Sequence, residues 1–233
     1  MSRTAVIHQP DFMPYLGFFD RLLHADVFVL LDNAQYVNAT SRSWTNRDKI
    51  KTPQGERWIT ISVKKAPRDT AINQIELSDH VDWRGDHLNL LRQNYRQAPF
   101  FGEIYPQVEA LYAHPFTLLA DFNRASIDFL LALFDIHVET VLASTLSAGG
   151  RSNELLAEIL REVGANCYLS GVGARAYFHP EPFDAAGIEV KWQDFPHPVY
   201  PQLHGDFIPY LSSIDLLFNC GIARSREILR KPS

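Results

Sequence analysis

Cysteine is nearly absent. Cys167 and Cys220 are the only two in 233 residues, far apart and without a zinc or redox spacing, so a reduced, cytoplasmic protein is expected. An excess of positive charge is also missing. The 22 Lys and Arg are outnumbered by 27 Asp and Glu, for a net charge of −5. That argues against nucleic acid as the main partner, because phosphate binding needs a basic face. A local anion site remains open, since Arg42, Arg47, Lys49 and Lys51 cluster. Long apolar runs are lacking too. The most apolar stretch, 116–134, is broken by Asp121, Asn123, Arg124 and Asp128, which excludes a membrane span there. No signal segment, internal repeat or linker is read. What is present is a core: 46% of residues are hydrophobic and only 21% charged, a balance that disfavours disorder.

The most informative stretch is Ala5-Val6-Ile7-His8-Gln9-Pro10-Asp11-Phe12-Met13-Pro14-Tyr15-Leu16-Gly17-Phe18-Phe19. A short apolar run reaches His8, two prolines force a turn, and an amphipathic segment follows. A strand that ends in a polar loop and feeds a helix is where open α/β sheets bind ligands.

The expected organisation is a single α/β domain over 1–222, with an open, mainly parallel sheet of about five strands and a helical insertion around 80–135. A mobile tail is expected over 223–233. Strands are expected at 6–8, 27–31, 57–63, 72–77, 138–142, 167–169 and 188–192. Helices are expected at 15–24, 82–97, 104–112, 118–133 and 153–163, the last capped by Ser152. A final helix begins with a capping box of Ser212 and Asp215 and stops near Gly221. The polar segment 33–54 reads as a long functional loop, with room for a short hairpin or helix.

If the strands are parallel, their ends share one edge, bringing together His8 and Gln9, Asp32, Ser144, and Ser170 with Gly171. His8 is a candidate general base, because imidazole titrates nearest neutrality. Asp32 could orient it, bind a ribose or metal, or only cap a loop. Asn46 and Arg47 suit a phosphate or carboxylate, guanidinium being a planar fork. The proline-rich segment 195–206 could wall the cleft. His197, His204 and Asp206 lack the spacing of a metal site, and no metal is expected. A catalytic cleft should bring together at least two of His8, Asp32 and Arg47, whereas a binding module should not.

These residues make the chain similar to the WbqC-like family of bacterial proteins. The likeness rests on the opening motif, Asp32 with Gln35, Asn46-Arg47, Trp83, Tyr95, Ser170-Gly171, Tyr177, Tyr200 with Gln202, and Ser213-Ile214-Asp215-Leu216-Leu217-Phe218-Asn219. Tyr15 stands where many members carry Trp. The resemblance implies work on surface sugars such as O-antigen. A fainter likeness, Pro14-Tyr15-Leu16-Gly17-Phe18, is to nucleotidyltransferases of the HIGH class, implying a HUP/Rossmann-like fold. Both imidazoles of that motif are replaced, by Tyr15 and Phe18, which disfavours classical adenylyl transfer.

The expected function is group transfer, by acyl or aminoacyl transfer to an amino sugar, nucleotide sugar or related small metabolite. His8 and Asp32 are the expected catalytic residues. Gln9, Asp11, Tyr15, Gln35, Asn46, Arg47, Ser170, Gly171, Tyr200 and Gln202 are expected to bind substrate. An acyl-CoA or a nucleotide is the candidate cofactor, and a homodimer is a possible assembly. The alternatives are a nucleotidyltransferase-like enzyme and a non-catalytic binding protein of the same fold.

Overall fold

The computed structural model describes residues 2–37 and 43–231. Arg42 and the middle of the 33–54 segment lie outside the described residues. Five strands form one all-parallel sheet: β1 (Thr4–His8), β2 (Val27–Leu30), β5 (Glu139–Leu142), β6 (Cys167–Ser170) and β7 (Glu189–Trp192), in the order β5-β2-β1-β6-β7. This is a Rossmann-like open sheet. Its strands alternate between two cores, as a pleat with both faces covered requires. Val6, Phe28 and Leu30 face a cluster with Leu16, Phe19, Phe134 and Leu217. Ala5, Ile7, Val27 and Val29 face Ala157, Leu160 and Phe183. Helices α1 (Leu16–Leu23), α4 (Leu119–Phe134) and α7 (Ile214–Arg230) therefore cover one face, and α5 (Ser152–Glu162) and α6 (Glu181–Ala186) the other.

Chain order creates the crevice. β1, β2 and β5 build outward in one direction; the chain then jumps back to place β6 on the other side of β1. The connections diverge at the carboxyl ends of β1 and β6, the topological switch point where such sheets hold ligands.

Between β2 and β5 come an antiparallel hairpin, β3 (Arg47–Thr52) and β4 (Gly55–Thr60), and then helices α2 (Trp83–Tyr95) and α3 (Phe101–Ala113) ahead of α4. The sequence obscured β3, because a strand reading Arg-Asp-Lys-Ile-Lys-Thr has almost no apolar alternation. The strand expected at 72–77 is a 3-10 turn at Ile72–Gln74 flanked by isolated bridges. Ser152 has a left-handed φ of 51° and Arg151 takes the cap position of α5, so the expected cap is not made. Ser212 also makes no capping box. Its hydroxyl donates to Met13 O at 2.7 Å, and Asp215 is engaged elsewhere.

The last helix breaks at Gly221, as expected, and a second helical segment then runs on to Arg230. Gly221 (φ 71°, ψ 173°) kinks α7, and a Cβ there would meet the Phe100 ring at 2.5 Å. The helix resumes because Ile228 and Leu229 bury, while Arg226 donates to Leu133 O at 2.8 Å and Arg230 to Asp135 O at 2.6 Å. No helix among the described residues is long and apolar enough to cross a membrane.

Candidate active site

A cleft of about 780 Å³ opens at the switch point, within the size range of small-molecule sites. Its floor is the end of β1 and the loop 9–15. That loop is pinned by three separate elements. Phe12 N–H donates to Trp44 O at 3.1 Å, the Asn123 amide of α4 donates to Pro10 O and Thr45 O, and Ser212 holds Met13 O. Phe12 and Met13 are fully buried, and Met13 sits at a left-handed φ of 40°. With those side chains committed to the core, Asp11 faces the cleft. Gly17 is needed next door, because a Cβ there would lie 2.5 Å from the Tyr15 ring.

His8 lies at the strand end. Its Nδ1 is 3.0 Å from Gln9 O and 3.5 Å from Asp11 Oδ2. The bond to a carbonyl assigns the proton to Nδ1, leaving Nε2 an acceptor. Burial, reinforced by the Arg21 charge, lowers the His8 pKa to about 3, so the ring is neutral at physiological pH. Burial raises Asp11 to about 7, against the pull of Arg21. Asp48, from β3, also lines the cleft; it is buried and pushed well above the carboxylate range, although its Oδ1 accepts from Lys49 N–H at 2.6 Å.

Arg21 is the residue the sequence did not reveal. It is 4% exposed, on α1, and lines the cleft. Its Nε has no hydrogen-bond partner, and among the described residues no carboxylate lies within 4.0 Å of its guanidinium. The Phe18 ring is 6.0 Å away, and Gly171 packs on it so closely that a Cβ would be 3.3 Å from Nη1. Burial lowers the Arg21 pKa. The available signal was positional: Arg21 sits three and four residues after Phe18 and Gly17, on the buried face of its helix.

The cleft thus gathers His8, Gln9, Asp11, Tyr15, Ser170 and Gly171 from the expected set, and adds Arg21, Asp48, Tyr168 and Gln193. Tyr210 walls the opening, 6.1 Å from the Tyr15 ring; the wall comes from just past the expected 195–206 loop. A smaller annex of about 300 Å³ shares Tyr168, Ser170 and Leu156 with the cleft and is lined by Leu155, Phe178 and Trp192.

Other expected residues lie elsewhere. Asp32 is buried and accepts from Ser144 N–H at 2.9 Å, Ser144 Oγ at 2.6 Å and Asn73 Nδ2 at 3.2 Å. It ties β2 to β5, neighbours with no switch point between them, so that end of the sheet closes on itself. Gln35 Nε2 donates to Arg68 O at 2.8 Å. Asn46 is buried, donating to Ile61 O at 3.3 Å. The Arg47 guanidinium lies 4.1 Å over the Trp58 ring, and its Nε donates to Ser43 O. Tyr200 and Gln202 join a buried network: Asp215 accepts from Tyr95, Tyr200 and Gln202 at 2.8–2.9 Å, and Lys51 Nζ donates to Gln202 Oε1 at 3.1 Å. That network fastens the loop 199–212 to β3, α2 and α7. Of His8, Asp32 and Arg47, only His8 lines the cleft. No metal-holding cluster of His, Cys, Asp or Glu occurs among the described residues.

The family model of the WbqC-like protein family matches residues 9–227. The chain belongs to this family. Among its relatives is an uncharacterized protein of Mycobacterium tuberculosis, Rv1507c, which is 33% identical over 232 residues, covering 99% of this chain and 98% of the relative. No solved structure matches. The matched span begins at Gln9, so the pinned loop, Arg21 and both walls of the cleft all fall within the family region or, for His8, beside it.

Proposed function

We propose that the chain is a group-transfer enzyme, moving an acyl or aminoacyl group onto an amine or hydroxyl of an amino sugar, nucleotide sugar or related small metabolite in surface-polysaccharide biosynthesis. Membership of the WbqC-like family suggests a biosynthetic enzyme. The observation that carries the reading is the pairing of His8 with Asp11 at the switch point, 3.5 Å apart and facing the cleft.

The two residues divide the work by basicity. A general base is most effective with a pKa near the working pH. Asp11, at about 7, meets that condition; His8, at about 3, does not. The base is therefore Asp11 rather than His8. The neutral His8 Nε2 accepts a hydrogen bond from the acceptor and orients it. The acceptor nitrogen or oxygen attacks the carbonyl carbon of the donor and forms the new bond. Its proton passes to Asp11, and the donor's leaving group departs with the bonding pair and takes that proton. Ser170 and Gly171 line the cleft, and in this reading they supply hydrogen bonds to the carbonyl oxygen as it gathers charge.

A thermal-shift screen with nucleotides, nucleotide sugars and acyl-CoA esters finds the donor, because a ligand that binds only the folded state raises its stability. With that donor, Asp11→Asn lowers turnover by about 10²–10⁴-fold, the usual worth of general base catalysis. Unchanged turnover would remove Asp11 from the reaction. The distance of Asp32 and Arg47 from the cleft favours a second reading, a ligand-binding protein of the same fold, marked by a thermal shift without any product.

A further inference from the structure

Buried ions of opposite sign normally pair, since an isolated charge in a low-dielectric site is costly. This cleft leaves a guanidinium and two carboxyls without one another as close partners. Arg21 has no carboxylate within 4.0 Å among the described residues, and its Nε makes no hydrogen bond. Among the described residues, Asp11 and Asp48 have no Lys or Arg within the same distance; there the Asp11 carboxylate is beside the neutral His8 ring, and Asp48 accepts a backbone N–H. All three side chains line one cavity of about 780 Å³. A ligand anion would pair Arg21, and a ligand ammonium would favour the ionised form of Asp11 and Asp48, which burial alone pushes toward the neutral form. The groups are close enough for Arg21 to act electrostatically on Asp11.

We infer that the cleft takes a zwitterion, a small molecule carrying a primary ammonium together with a carboxylate or phosphate. The oxyanion lies on the Arg21 guanidinium, which offers a planar, bidentate fork, and the ammonium lies against Asp11 and Asp48. Gly171 is part of the seat. Its φ of −73° suits any residue, yet a Cβ would come within 3.3 Å of Nη1 and crowd the guanidinium. The inference rests on reading this cleft as the substrate site of the proposed transferase. It places the acceptor's amine beside the base.

The test is isothermal titration of the full chain with two probe sets. One is glucosamine 6-phosphate, with N-acetylglucosamine 6-phosphate and glucosamine as its singly charged counterparts. The other is L-alanine, with N-acetyl-L-alanine and L-alaninamide. In at least one set the zwitterion binds at least tenfold more tightly than either counterpart, and the set that does so tells phosphate from carboxylate. Arg21→Met and Gly171→Ala each weaken that zwitterion at least tenfold, the second variant guarding against a folding defect in the first. Asp11→Asn weakens it while leaving the N-acetylated counterpart unaffected. Equal binding of zwitterion and counterparts, or no binding in either set, overturns the inference. Turnover of a singly charged acceptor would then leave the transferase reading standing, whereas zwitterion binding with turnover unchanged in Asp11→Asn would defeat the transfer mechanism alone.

Discussion

Arg21→Met should make the free protein more stable and its cleft less useful. The guanidinium is 4% exposed and has no ion pair among the described residues. Replacing a buried ion with an apolar side chain of similar length is often neutral or stabilising, by up to about 4 kcal/mol. The approach to the Phe18 ring, at 6.0 Å, offsets about 0.5–1 kcal/mol of that gain. A net stabilisation of about 1–3 kcal/mol remains, which for a chain of this size raises Tm by about 2–4 °C per kcal/mol. Calorimetric melting of parent and variant, at pH 7 and without ligand, reads it directly. The same pair melted with the zwitterion found above should show the order reversed or equalised, because only the parent gains from binding. A fall in Tm of the ligand-free variant would refute the reasoning, since it would mean that the guanidinium holds the fold together.

Asp11→Asn tests the carboxyl environment through pH. The folded pKa is raised to about 7, so between about pH 4 and 7 the unfolded chain loses this proton while the folded one keeps it. Folded stability from this group therefore falls as pH rises through that window. The variant should match the parent near pH 4 and exceed it, by on the order of 2–4 kcal/mol, at pH 8; a gap independent of pH contradicts the shift. Asp32→Ala strips the acceptor from Ser144 and Asn73 and should cost about 1–3 kcal/mol, with ligand affinity by titration changed less than twofold. Tyr95→Phe removes the hydroxyl that donates to Asp215 and accepts from Lys51 N–H. Chemical denaturation should show a loss of about 1–3 kcal/mol, again with the cleft's affinity intact.

The sheet was legible because its strands are short apolar runs with a clear rhythm: Val6 to His8 and Val27 to Leu30 announce themselves, and parallel strands buried on both faces require such runs. β3 was not, because Asp48 and Lys51 face inward among charged neighbours and hide the alternation, although β4 overlaps the strand expected at 57–63. Without β3 there was no register to show that Asp48 turns into the cleft. Sequence placed Asp32 and Ser144 at the strand ends correctly, yet being at the carboxyl edge is not the same as being at the switch point. The two bond to each other, and the cleft opens instead around the ends of β1 and β6. Tyr200, Gln202 and Asp215 carry motif-like side chains, but these are spent on one another and on Lys51. Arg21 escaped notice because a charged residue on an amphipathic helix is ordinarily solvent-facing, and only the packing of α1 against the sheet shows otherwise.

If the cleft between β1 and β6 performs the proposed group transfer with Asp11 as its base, the yield of transferred product must depend on the Asp11 carboxylate. The most direct measurement incubates acyl-CoA and aminoacyl donors with amino-sugar and nucleotide-sugar acceptors, and follows the transferred mass by mass spectrometry for the parent, Asp11→Asn and Asp32→Asn. The prediction is product from the parent and from Asp32→Asn, with about 10²–10⁴-fold less from Asp11→Asn. Equal product from the parent and Asp11→Asn, or loss confined to Asp32→Asn, would contradict it.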